Sequence, residues 1–110
     1  TTETLMLLSR AIAPFAEFNP REVSCTTLFI FLAVGESADG LLQTDIARKL
    51  GIPKSSVSRN CGILDSQTQK GDPGMGLVSR EPWHADQRIK LVKLTAKGRE
   101  LFDEIHSHLG

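Results

Sequence analysis

Apolar positions recur at helical spacing in four stretches of the chain, run together in a fifth, and give way to β-rich runs in a sixth. Leu5, Leu8, Ile12 and Phe15 mark a first helix over Thr2 to Phe18, with Pro14 predicting a kink or early stop. Asn19-Pro20-Arg21-Glu22 has the composition of a helix start, with Asn as cap, Pro in the first turn and Glu reaching back. That second helix is expected to run to about Val34, with Gly35 beyond its end. Leu28 to Val34 is apolar all round, which predicts a buried rather than an amphipathic helix. Glu36 to Gly40 is a turn, and Leu41-Leu42 reads as a very short strand.

The most informative stretch is Leu41 to Leu64, LLQTDIARKLGIPKSSVSRNCGIL. Ile46, Ala47 and Leu50 form the apolar face of one short helix, and Val57, Cys61 and Leu64 that of another. Gly51 ends the first, because glycine takes the left-handed conformation without a Cβ penalty. Pro53 is tolerated only at the opening of the second. The other face of the second helix carries Lys54, Ser55, Ser56, Ser58, Arg59 and Asn60, small hydrogen-bonding and cationic groups suited to phosphates and base edges. This is the layout of a helix-turn-helix whose second helix reads DNA. The alternative is a generic helical hairpin with a solvated polar face.

Asp65 to Gly76 follows as a glycine-rich loop expected to be mobile. Leu77 to Trp83 and Arg88 to Leu94 are β-rich runs separated by His84-Ala85-Asp86-Gln87, a hairpin in which Pro82 demands an edge strand. Thr95 caps a last helix whose stripe of Leu101, Phe102, Ile105 and Leu109 is a candidate partner surface. The sum is one domain over 1–110, mainly α with a small β-hairpin, in the order α-α-β-α-α-β-β-α: a winged helix-turn-helix.

Composition changes this picture little: 110 residues, 40% hydrophobic and 24% charged, suit a single globular domain. No apolar run is long enough for a membrane span, and no signal peptide is read. Cys25 and Cys61 lie among apolar neighbours and are expected to be reduced core thiols, which suits the cytoplasm. Charge matters more. The net charge is zero, yet Gln43 to Arg99 holds eleven cations against five anions, and the remainder an equal acidic surplus. A basic middle between acidic ends is the footprint of a nucleic-acid face. Chance clustering is the bland alternative.

Enzymatic chemistry is not expected. His84, His106 and His108 form no metal-ligand spacing, and no phosphate-binding glycine loop or paired carboxylates occur. No cofactor is therefore expected.

At three places the chain resembles the MarR family of bacterial winged-helix transcription regulators. Asp45 to Ile52 followed by Ser55-Ser56-Val57-Ser58-Arg59 is similar to the family's helix-turn-helix. Gly76-Leu77-Val78 is similar to the beginning of its first wing strand. Asp86-Gln87-Arg88 followed by Leu91 to Gly98 is similar to its wing "D-R-R … L-T-x-K-G". The resemblance implies a homodimer joined by its terminal helices, here 2–18 and 96–109, with two winged helices on one DNA duplex. It places Lys54, Ser55, Ser56, Ser58 and Arg59 on the major-groove helix. It places Asp86 and Arg88 on the wing-tip pair, where the Asp steadies an Arg in the minor groove, with Lys90 beside them. A narrow groove concentrates negative potential, and a permanently charged guanidinium suits it. The implied activity is transcription regulation, most simply repression, in the bacterial cytoplasm at the nucleoid.

Four positions depart from the family pattern. Asn60 replaces an apolar residue, Gly62 interrupts the reading helix, Leu42 stands at a Ser/Thr cap, and Asp65 to Met75 are inserted before the wing. The chain also ends sooner than most members, at Gly110, which implies a reduced interface and effector pocket. The rival reading is a winged-helix interaction, replication or architectural module without operator recognition, since fold does not fix function.

Overall fold

The computed structural model describes residues 24–66, 71 and 73–109, together with Thr2, Met6 and Ala13. Of the first helix expected from sequence, only those three positions are described, and all are helical. The expected start at Asn19-Pro20 lies outside the described residues.

The described helix α1 spans Cys25–Glu36. Its start differs from the sequence reading, because Ser24 is extended (φ −127°, ψ 174°) and caps it. The Thr27 amide donates to Ser24 Oγ at 3.4 Å, and the Ser24 amide donates to Thr27 Oγ1 at 3.1 Å. Two otherwise orphaned amide groups are thus satisfied reciprocally. Gly35 lies inside the last turn rather than beyond it; the helix ends at Ser37, whose amide donates to Val34 O. A Cβ on Gly35 would stand 2.2 Å from Phe102 Cδ2, so glycine is there for close approach and not for termination. Nor is α1 buried all round. Ile30, Phe31 and Val34 are fully enclosed, but Phe29 is 55% exposed and Cys25 faces solvent. Of the two expected core thiols, only Cys61 is buried.

Strand β1, Leu41–Leu42, feeds directly into α2, Gln43–Leu50. Leu42 occupies the cap position of α2 without a side-chain hydrogen bond. Backbone pairing of β1 with β3 (Asp86–Leu94), Leu41 with Val92 and Leu42 with Leu91, holds the chain there instead. Gly51 ends α2 in the left-handed region (φ 67°), where a Cβ is disfavoured. Helix α3, Lys54–Leu64, follows from Pro53, and Val57, Cys61 and Leu64 are fully buried as their spacing predicts.

The segment after α3 is firmer at its base than its composition suggests. The amide of Gly74 donates to Ser66 O, that of Gly76 to Asp65 O, that of Met75 to Ile63 O and that of Leu77 to Leu64 O. The bonds from Met75 and Leu77 satisfy the last two carbonyls of α3, and Met75 joins the core. Strand β2, Val78–Trp83, pairs antiparallel with β3, giving the order β1-β3-β2. Pro82 lies on the edge strand, as its missing amide requires. The hairpin turn is shorter than expected. Trp83 pairs with Asp86, so only His84 and Ala85 turn, after an irregularity at Pro82/Trp83.

Helix α4, Ala96–Leu109, begins at Thr95, whose Oγ1 accepts from the Gly98 amide. Gly98 is glycine for room: a Cβ there would meet Leu77 O at 1.9 Å. Part of the stripe on α4 packs inside the fold. Ile105 is buried, and Phe102 meets Phe31 edge-on with centroids 6.3 Å apart. Arg99 sits over the Phe102 ring, 5.4 Å from its centroid, and donates to Gly35 O, tying α4 to α1. One core therefore joins α1, the helix-turn-helix, the sheet and α4.

Candidate nucleic-acid interface

Helix α3 is held by its apolar face, which leaves Lys54, Ser55 and Arg59 exposed and Ser56 and Ser58 half-buried. Asn60 does not belong with them, contrary to the sequence reading. It is buried, with Oδ1 accepting from Thr27 Oγ1 at 2.5 Å and Nδ2 donating to Ser56 O at 2.8 Å. Ser56 is correspondingly drawn inward, its Oγ also 3.5 Å from Asn60 Nδ2.

The wing positions a second group. Residues two apart on a strand share a face, and Asp86 and Arg88 do so at the start of β3. Asp86 Oδ1 accepts from both the backbone amide and Nε of Arg88 at 3.0 Å, and Oδ2 accepts from Nη2 at 2.9 Å. The bidentate fork lowers the Asp86 pKa below its ordinary value and raises that of Arg88, the paired hydrogen bonds being the main cause in each. The Arg88 side chain is nonetheless 90% exposed, against 29% for Asp86. The guanidinium is oriented without being enclosed.

The two groups meet in one cleft of about 560 Å³. Lys54, Ser55 and Ser58 of α3 line one side, and Asp86, Arg88 and Lys90 of the wing the other, with Ile89 between the wing side chains. Ser56 and Arg59 lie outside this lining. Gln43 and Thr44, which the sequence reading passed over, complete it. Their signal was available: they are the polar first turn of a helix that follows a strand and carries no side-chain cap. Free amide groups at such a turn suit an anion.

The basic surplus is partly neutralised internally. Arg80 pairs with Asp65 at 2.9 Å, both well covered, and its Nη1 lies 3.5 Å from Gln43 Oε1. Lys93 pairs with Glu81 at 3.1 Å, Arg48 pairs with Asp45, and Lys97 Nζ donates to Met75 O. Lys49, Lys54, Arg59 and Lys90 stay exposed alongside Arg88. Burial pushes the Cys61 thiol up to about 12, with Arg80 partly opposing it, so this sulfur is a packed neutral group. Among the described residues no cluster of His, Cys, Asp and Glu is arranged to hold a metal ion, and no helix is long and apolar enough to cross a membrane.

No protein-family model matches the chain. Over 63 residues, 57% of its length, it is 38% identical to the uncharacterised HTH-type transcriptional regulator YdgJ of Bacillus subtilis (strain 168). That match spans 34% of YdgJ, so the chain corresponds to about a third of that relative. Among solved structures, the MepR–DNA complex of S. aureus superposes with a TM-score of 0.74 at 21% identity, covering 98% of this chain and 77% of MepR. A MarR-family regulator from Rhodococcus sp. RHA1 superposes with a TM-score of 0.66 at 22% identity, covering 96% of this chain and 64% of the other. In fold, the chain is a winged helix-turn-helix of the kind found in MarR-family transcription regulators.

Proposed function

We propose that the protein is a sequence-specific DNA-binding transcription regulator, acting as a homodimer on a pseudo-palindromic site and most simply as a repressor. The observation that carries this reading is the shared cleft. Base-reading and phosphate-binding side chains of α3 face a wing arginine that is locked in direction by Asp86 and left open to solvent. In this reading α3 enters the major groove, with Ser55, Ser58 and Arg59 toward base edges and Lys54 toward phosphate. Arg88 enters the adjacent minor groove, Lys90 follows the backbone, and the first turn of α2 meets a phosphate. The helices over 2–18 and 96–109 join two protomers, and two-fold symmetry puts half-sites about one helical turn apart, ~34–36 Å. Such a protein works in the bacterial cytoplasm, at the nucleoid. MepR bound to DNA supports this reading through its shared fold.

The test is selection from a pool of random duplexes, with bound sequences read out across a salt series. Enrichment of one inverted repeat, with affinity falling steeply as salt rises, is the expected result. Steep salt dependence without enrichment would point instead to an architectural binder. No binding at low salt would remove the DNA reading and leave a protein-interaction module.

A further inference from the structure

The buried polar pair between α1 and α3 has no part in the cleft, yet it touches the element that would read bases. Asn60 directly follows Arg59. Its Oδ1 takes the Thr27 hydroxyl proton from α1, and its Nδ2 returns to Ser56 O one turn earlier on α3. Thr27 Oγ1 in turn accepts the Ser24 amide at the cap of α1. A continuous hydrogen-bonded chain thus runs from the first turn of α1 to the reading helix.

Stability does not explain such a pair. A buried hydrogen-bonded couple replaced on both sides by apolar groups of the same shape is often nearly neutral. What the couple adds is direction. Over 54–60, the buried side chains of α3 are Val57 and Asn60, and Pro53 supplies no side-chain cap. Val57, with Cys61, Ile63 and Leu64 beyond it, keeps the helix in the core, but apolar contact is non-directional and sets the rotation of the helix less sharply than a hydrogen bond does. A side-chain tip ~6 Å from the helix axis moves ~2 Å when the helix turns by about 20°. Base-edge hydrogen bonds do not survive that displacement.

We propose that Asn60, tethered by Thr27, is a positioning residue that fixes the rotation of α3 and thereby the sequence preference of Ser55, Ser58 and Arg59. This rests on the DNA-reading function proposed above. It assigns to a position that contacts no DNA the part of specificity that depends on helix orientation.

The test compares the wild type with Thr27→Val/Asn60→Leu, which removes both partners, and with Thr27→Ser, which keeps the hydroxyl. Each is measured for thermal unfolding, for affinity to the selected duplex and to a scrambled duplex, and for amide NMR linewidths along α3. The double variant also takes from the Ser24 amide its capping acceptor, so it is expected to unfold a few degrees below the wild type and to bind scrambled DNA within about twofold. It should lose tenfold or more on the selected duplex, with line broadening confined to α3. Thr27→Ser should retain both discrimination and linewidths. Unchanged discrimination and sharp α3 amides in the double variant would overturn the proposal, as would parallel losses on both duplexes that track a fall in stability. If the wild type itself shows no preference, the DNA-reading function fails. The amide linewidths then still decide whether the pair positions α3.

Discussion

Gly35 and Phe102 occupy one another's space: the ring lies where any side chain at position 35 would begin, at 2.2–2.4 Å from an added Cβ. Gly35→Ala therefore forces α4 away from α1, and with it the Phe31–Phe102 contact. The expected loss is about 1–3 kcal/mol, the usual cost of overpacking. Urea unfolding measures it, and Phe102→Leu added to Gly35→Ala should recover part of the loss. A Gly35→Ala protein as stable as the wild type would mean that α4 shifts freely.

Removal of the wing guanidinium by Arg88→Ala should weaken DNA binding clearly, because it deletes a charge-assisted contact. Asp86→Asn keeps the shape and one acceptor but not the charge, so it should cost less, the pair being so exposed. Fluorescence anisotropy on one duplex ranks the two. Equal losses would show that Asp86 meets DNA in its own right.

The same pair sets a pH window. Asp86 in the folded protein ionises below its ordinary value of 3.8 because Arg88 holds its charged form. A carboxylate with a lowered pKa contributes above its unfolded pKa and loses that contribution as pH falls through the folded one. The Arg88 Hε resonance should therefore stay fixed from pH 7 to about pH 4 and move only below that. Movement between pH 7 and 5 would rule out the fork in solution.

Arg59 and Lys93 should behave differently. If Arg59 reaches a guanine, Arg59→Ala costs roughly 1–3 kcal/mol on the selected site and relaxes one position of it. Lys93 is already paired with Glu81, so Lys93→Ala should weaken all sequences slightly and alike. Equal losses for Arg59→Ala on selected and random duplexes would remove Arg59 from base reading.

The cysteines should separate cleanly. Cys25 is exposed and Cys61 buried, so a thiol reagent should label one sulfur at once and the other only on unfolding. With the folded Cys61 pKa at about 12 against an ordinary 9.0, the unfolded chain loses its proton first. Stability should fall above about pH 9, by at most ~1.4 kcal/mol per pH unit. In Cys61→Val this contribution should vanish, as denaturant midpoints at pH 8 to 11 would show.

The helix-turn-helix, the wing and the Thr95 cap were readable because their signals are local. Gly51 and Thr95 act on their own turns, and Val57, Cys61 and Leu64 declare a face by spacing alone. What was misread depends on distant partners. Asn60 counts as polar surface until Thr27, far away in sequence, is found beside it. Gly35 passes for a helix terminator until Phe102 arrives from α4. The cap at Ser24 was passed over in favour of Asn19, and only the extended backbone at Ser24 shows where α1 begins. In the cleft, six of the eight residues chosen from sequence come together, while Gln43 and Thr44 join them through the β1–β3 pairing. That pairing is invisible to a reading of two leucines.

Strand β3 is the middle member of its sheet, fastened on one side to the segment that launches α2 and on the other to the rest of the wing. The strand that carries Arg88 and the start of the helix-turn-helix are thus tied to one another through the sheet. In the proposed DNA-reading function the domain would act as a fixed-width caliper, and a duplex whose neighbouring grooves lie closer or farther apart would itself have to deform to fit the gap.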